Sequence, residues 1–128
     1  MPFDWTDYHT VATTLSQNAD EASQRSAISR VYYCVYHLAL NHLSEHHNFQ
    51  YSEGKPAHDQ VWREFNNKGL SYRERWNKDD QLKKLRVDAD YRAGAIVNGN
   101  TAATALNLAK RIMERLQQLH QTIVSGQP

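Results

Sequence analysis

Between Asp20 and His46 the chain carries neither glycine nor proline. Within that stretch Ile28, Val31, Tyr32, Val35, Leu38, Ala39 and Leu43 recur at steps of three and four. This is helical periodicity, and it predicts one long α-helix from about Asp20 to His46. A second, mixed stripe lies beside the first: Ala27, Arg30, Cys34, His37 and Asn41. A helix apolar over so wide an arc has neighbours on more than one side, so it belongs at the centre of the fold. Arg30 and His37 are seven positions apart and return to nearly the same face, roughly 10 Å apart along the axis. A cation and an imidazole on that face need partners. Either they bond to Asp88 or Asp90 on a facing helix, or they are aimed at a ligand.

The other segments read as shorter helices. Asp4 is placed to cap a first helix running to about Ser16, with Trp5, Tyr8, Ala12 and Leu15 on its apolar stripe. Asn18 to Asp20 breaks it. His47 to Pro56 reads as a loop. A short helix from about Ala57 to Asn66 follows, with Val61, Trp62 and Phe65 facing inward, stopped by Asn66, Asn67 and Gly69. Ser71 with Glu74 fits a capping box for a turn through Trp76. Asp79 and Asp80 open a helix carrying Leu82, Leu85 and Ala89, which reaches about Tyr91. Arg92 to Asn100 reads as a loop because Gly94, Asn98 and Gly99 interrupt the pattern. Asn100 or Thr101 caps the last helix, whose stripe runs from Ala105 through Leu108, Ala109, Ile112, Leu116 and Leu119 to Ile123. The expectation is an all-α protein: an up-and-down four-helix bundle with an extra short helix, forming one domain with its core from about residue 4 to residue 123.

Composition narrows the function classes. The net charge is +1 with seven histidines counted neutral, so any nucleic-acid contact has to come from a local patch. Acids at Asp4 and Asp7 stand where a signal peptide would carry bases. The longest apolar run, Val31 to Leu40, is too short to span a bilayer. A single cysteine, Cys34, excludes an internal disulfide and suits a reducing compartment. A cytoplasmic protein with no membrane partner is expected.

Three segments in order have a familiar pattern. Arg30-Val31-Tyr32-Tyr33-Cys34-Val35-Tyr36-His37 resembles the Arg-x-Tyr-Tyr-x-x-(Phe/Tyr)-His signature of one branch of the HEPN superfamily (higher eukaryotes and prokaryotes nucleotide-binding domains). Ala57 to Phe65, with His58 near its start, looks like that branch's short helix. Leu82 to Tyr91 is similar to its Leu-x-x-x-Arg-x-x-Ala-Asp-Tyr motif. The likeness covers about Asp20 to Ile123. It implies a helical bundle, usually dimeric. It also implies either a metal-independent ribonuclease using an arginine and a histidine, or a non-catalytic partner of a nucleotidyltransferase in a toxin–antitoxin or defence system. Tyr91 stands where the better-known ribonuclease branches carry their histidine.

Metal-free RNA cleavage needs a base for the 2′-hydroxyl, an acid for the departing 5′-oxygen and a cation for the phosphorane. His37 titrates near neutrality and is the acid/base candidate. Arg30 and Arg86 are the phosphate-binding candidates. Tyr91 and Asp90 are positioning candidates, Asp90 lying one turn from Arg86. Tyr33, Lys83 and Lys84 are candidates for contact with RNA, Tyr33 by donating or stacking. Lys83 and Lys84 extend a basic run with Arg73, Arg75 and Lys78, interleaved with Glu74, Asp79 and Asp80. For Arg86 and Asp90 the bland alternative is an ordinary intrahelical ion pair. His42 and His46 have a spacing able to hold zinc, but no third ligand is evident, so no metal or cofactor is expected. The leading expectation is an RNA-directed, toxin- or defence-type endoribonuclease acting as a homodimer. The alternatives are a non-enzymatic module that binds a nucleotide or a nucleotidyltransferase, and a helical interaction domain whose motifs serve only its core.

Overall fold

The computed structural model describes residues 2–54, 56–68 and 78–126, with the side chains of residues 78 and 79 left aside. Five helices occur among the described residues: α1 (Asp7–Ser16), α2 (Glu21–His46), α3 (Ala57–Asn67), α4 (Lys78–Tyr91) and α5 (Gly99–Ser125). No strand occurs among the described residues. The expected capping box at Ser71 and Glu74, the turn through Trp76, and the basic side chains of Arg73, Arg75 and Lys78 lie outside the described residues.

Contacts between named residues give the helix directions. Arg30 and His37 of α2 meet Tyr8 and Trp5 respectively, so α1 runs antiparallel to α2. Arg25 reaches the end of α4 while Tyr32 and Tyr33 meet Arg86 further back, so α4 is antiparallel to α2 as well. His46 and His120 meet near the ends of α2 and α5, which makes those two parallel. Helices α1, α2, α4 and α5 therefore form an up-and-down four-helix bundle, and α3 is the extra short helix. As its wide apolar arc requires, α2 packs against all the others. Ile28, Val31, Tyr32, Val35 and Leu43 of α2 are fully buried, together with Val61 of α3 and Leu82 of α4.

Capping explains the boundaries, including those the sequence misplaces. The Asp20 carboxylate accepts the Ser23 amide at 2.9 Å and starts α2 where expected. Asp4 does not cap α1 directly. Its carboxylate accepts both the amide and the hydroxyl of Thr6, building a preceding turn, and α1 begins at Asp7. Asn98, expected in a loop, is the cap of α5. Its Oδ1 accepts the Asn100 and Thr101 amides, and the Thr101 hydroxyl accepts the Asn98 amide. The reciprocal pair starts the helix at Gly99, two residues earlier than a cap at Asn100 and three earlier than one at Thr101 would allow. At the other end of α5 the apolar stripe outruns the bundle: Leu116 is buried, whereas Ile123 is exposed.

Candidate functional site: a buried arginine among aromatic rings

Helices α2, α3 and α4 meet over a cluster of rings, and the heptad geometry of α2 explains why. Tyr32 and Tyr36 are one turn apart and face α3; Tyr33 and His37, one position further round, flank them. From α4, Arg86 points into this cluster. Its guanidinium carbon lies 5.0 Å from the centre of the Tyr32 ring and 5.8 Å from the centres of both Tyr33 and Tyr91. Arg86 is only 8% exposed, and its Nε is buried without a hydrogen-bond partner. Its ion pair with Asp90 is long, 3.9 Å. The ring faces offset part of the cost of burying this charge, yet a guanidinium has donors in a rigid fork and here at least one is unmet. Asp90 has a second role: it accepts the Ser29 hydroxyl at 3.1 Å and so ties α4 to α2.

His58, from the start of α3, is the member the sequence did not single out. Its ring stacks on Tyr36 at 4.2 Å between centroids and lies edge-to-face with Tyr33 at 5.5 Å. Its Nδ1 is 2.9 Å from the Tyr32 hydroxyl, which in turn accepts the Trp62 indole N–H at 2.9 Å. Burial pushes the His58 imidazole below its ordinary pKa, and the charges of Arg86 and Lys83 push it the same way. A histidine opening the short helix is visible in the sequence. Its partners, contributed by α2 and the next turn of α3, become visible only when the helices pack.

His37 sits at the junction of this cluster with α1. Its ring stacks on Trp5 at 3.5 Å, nearly parallel, and lies 5.2 Å from Tyr36 and 6.5 Å from Tyr33. Burial lowers its pKa, so the ring is neutral at pH 7. Arg30 takes a different place. It does share a stripe with His37, but the stripe faces α1, and the Arg30 guanidinium lies 5.1 Å from the Tyr8 ring centre on an exposed side chain. The expected bond from Arg30 to Asp88 or Asp90 gives way to this ring contact. Asp88 instead lies 3.5 Å from Arg92, and Asp90 serves Arg86 and Ser29.

The remaining candidates divide. Tyr91 is 74% exposed and closes the outer side of the Arg86 cluster. Tyr33 is half-buried and touches both Arg86 and His37. Lys83 pairs with Asp59 and holds α4 to α3, while Lys84 is exposed. The structure thus brings together Arg86, Tyr91, Asp90, Tyr33 and His37, with Lys83 at the edge and His58 added. It leaves Arg30 on the α1 side and Lys84 on the outer face of α4.

Arg25 escapes the sequence reading altogether. Its guanidinium donates to five backbone carbonyls at the end of α4 and in the following loop: Asp88, Ala89, Arg92, Ala93 and Ala95, at 2.9–3.4 Å. It also meets Glu21 at 2.8 Å. No basic side chain occupies the last turn of α4 itself, so the cation that satisfies its terminal carbonyls comes from α2. This clamp fixes the end of α4, on which Asp90 and Tyr91 are carried.

At the far end of α2, His42, His46 and His47 gather with His120 of α5. The His46 and His120 ring nitrogens are 3.2 Å apart, and His42 is 6% exposed. Among the described residues, no group of three or more His, Cys, Asp or Glu side chains is arranged to hold a metal ion. Burial, followed by the nearby His46, His47 and His120 charges, pushes His42 down to about 4; Glu45 acts weakly the other way. A histidine buried in its neutral form stabilises the fold above its unfolded pKa near 6.5, and that stability is lost as pH falls towards 4. The expected acid loss is roughly 3 kcal/mol. Urea unfolding of wild type and His42→Leu at pH 7 and pH 4.5 checks this: the variant should lose distinctly less stability on acidification.

No described helix is long and apolar enough to cross a membrane. No family model, curated protein or solved structure matches the chain.

Proposed function

We propose that this protein is an RNA-directed, metal-independent endoribonuclease of the toxin or defence type, built on a HEPN-like bundle and working as a homodimer in the cytoplasm. The observation that carries the reading is Arg86: a guanidinium more than nine-tenths buried, with an unmet Nε donor, set among three tyrosine rings and adjoining two imidazoles through Tyr33. A phosphodiester supplies what that donor lacks, since its oxygens match the guanidinium fork.

In this reading Arg86 binds the scissile phosphate and stabilises the charge that builds on the phosphorane. His37, neutral at pH 7, takes the proton of the 2′-hydroxyl. The 2′-oxygen attacks phosphorus, the bond to the 5′-oxygen breaks, and the imidazolium returns its proton to that oxygen. The products are a 2′,3′-cyclic phosphate and a 5′-hydroxyl, with no water or metal consumed. Tyr91 and Tyr33 offer ring faces to the flanking bases, and Asp90 holds Arg86. Arg30, on the α1 side, is in this scheme a distant phosphate contact at most.

The test is RNA cleavage in excess chelator. Wild type should generate cyclic-phosphate ends, and His37→Ala should be slower by about 10²–10⁴-fold. Because the His37 pKa lies below 6.5, activity should rise with pH on the acid side and level off by neutrality. Equal RNA loss with both proteins would remove the catalytic reading. A second reading, a non-enzymatic module that binds a nucleotide or a nucleotidyltransferase, draws on the Trp5 ring, which covers one face of His37. It predicts RNA or nucleotide binding without cleavage in the same experiment.

A further inference from the structure

We propose that His58 is the second anion-facing group of this centre, a neutral imidazole whose Nε2–H donates to a phosphoryl oxygen held beside Arg86. The proposal rests on the reading of Arg86 as a phosphate site, and it assigns His58 a fixed tautomer and a role as donor rather than base.

The tautomer follows from counting donors around Tyr32. The indole of Trp62 has a proton to give and no lone pair to accept one, so its contact with the Tyr32 oxygen runs from Trp62 to Tyr32. Arg86, 5.0 Å from the same ring centre, is also only a donor. The Tyr32 hydroxyl is firmly protonated, its pKa pushed up to about 12 mainly by burial. Its own proton needs an acceptor, and His58 Nδ1 stands 2.9 Å away. If Nδ1 carried the proton instead, the buried Tyr32 hydroxyl hydrogen would be left among donors, at a cost of about 1–3 kcal/mol. Trp62 therefore donates to Tyr32, Tyr32 donates to Nδ1, and the His58 proton resides on Nε2, across the ring from Tyr32.

Charge and position favour the same state. Burial first, then the charges of Arg86 and Lys83, disfavour an imidazolium at residue 58, and Asp59, already paired with Lys83, opposes them only in part. His58 also occupies the first turn of α3, whose N-cap, Pro56, has no side chain to accept the orphan amides. The positive end of that helix repels a cation and attracts an anion. A neutral imidazole donor at a helix start can polarise an oxyanion without exchanging its proton at working pH. The stacked Tyr36 ring and the edge-on Tyr33 ring keep the imidazole in plane for that task.

The test uses ¹⁵N-labelled full-length protein, long-range ring correlations for the histidines and the Arg86 Nε signal, titrated at pH 7 with inorganic phosphate. His58 should be neutral with the proton on Nε2, and phosphate should move both His58 Nε2 and Arg86 Nε. His58→Ala should weaken phosphate binding about tenfold, whereas His58→Gln, which keeps a side-chain N–H, should retain most of it. An Nδ1-protonated or charged His58 would overturn the proposal. So would a phosphate titration that moves Arg86 alone, leaving the reading of Arg86 intact. If neither signal moves, the phosphate site fails, and the proposal fails with it.

Discussion

Arg86→Met should slow RNA cleavage by about 10³-fold while leaving the protein at least as stable as wild type. The two halves of this expectation share one cause. A buried guanidinium loses several kcal/mol of hydration and recovers it only through good partners. Here the partners are ring faces at 5.0–5.8 Å, the Tyr32 hydroxyl and a carboxylate at 3.9 Å, and Nε has none. Methionine is close in length, fills the space between the tyrosines and makes favourable sulfur–ring contacts. The unfolding free energy should therefore stay unchanged or rise by about 1–2 kcal/mol. Cleavage should fall by about 10³-fold, the usual cost of losing one pre-oriented group that stabilises the developing anion. Urea unfolding and chelated RNA cleavage on the same preparations check both halves. A variant that is both destabilised and still active would mean that Arg86 serves the core alone.

Arg25→Ala carries the largest expected loss of stability. One side chain satisfies five carbonyls where α4 ends and the chain turns towards α5. Removing it takes the charged donor from all five, leaving Asp88 and Arg92 only the backbone amides of Arg92 and Ala95, and leaves the negative end of α4 without its cation. A charged hydrogen bond contributes about 1.5–3 kcal/mol, and the bonds here are shared among few donors, so a total near 3 kcal/mol is expected. Arg25→Lys should recover less than half of it, because an ammonium cannot fork across carbonyls spread over two segments. Chemical denaturation gives the magnitudes. Amide hydrogen exchange gives the location: protection should be lost first around residues 88–97. Uniform loss of protection across α1 and α5 would contradict the clamp.

These two arginines show where the sequence was informative and where it was not. The helices were legible because their ends carry local chemistry. Asp20 announces α2, and the glycine-free run behind it admits nothing but helix. Asn98 was misread because, set between Gly94 and Gly99, it looks like a breaker, although its own side chain accepts the Asn100 and Thr101 amides. Arg86, Asp90 and Tyr91 were legible as one motif, with Asp90 one turn from Arg86. Arg25 was not, because its acceptors lie more than sixty positions away and are backbone atoms, which leave no trace in residue identity. Arg30 shows a related failure. Its stripe was correctly paired with that of His37, but the side opposite it could not be read from α2 alone. The Tyr8 ring of α1 took the place assigned to acids of α4. His58 was in view and had no role, since its function depends on Tyr32 and Trp62 converging from two helices.

The most direct measurement is a crystal structure of the protein with a short RNA whose 2′-hydroxyl at the scissile position is replaced by hydrogen, so that it binds without being cut. The expected result is a backbone phosphate within hydrogen-bond distance of Arg86, with the neighbouring sugar on the His37 side of the tyrosine cluster. A phosphate seated instead along Lys84 and Arg92, with Arg86 still enclosed by its rings, would contradict the account.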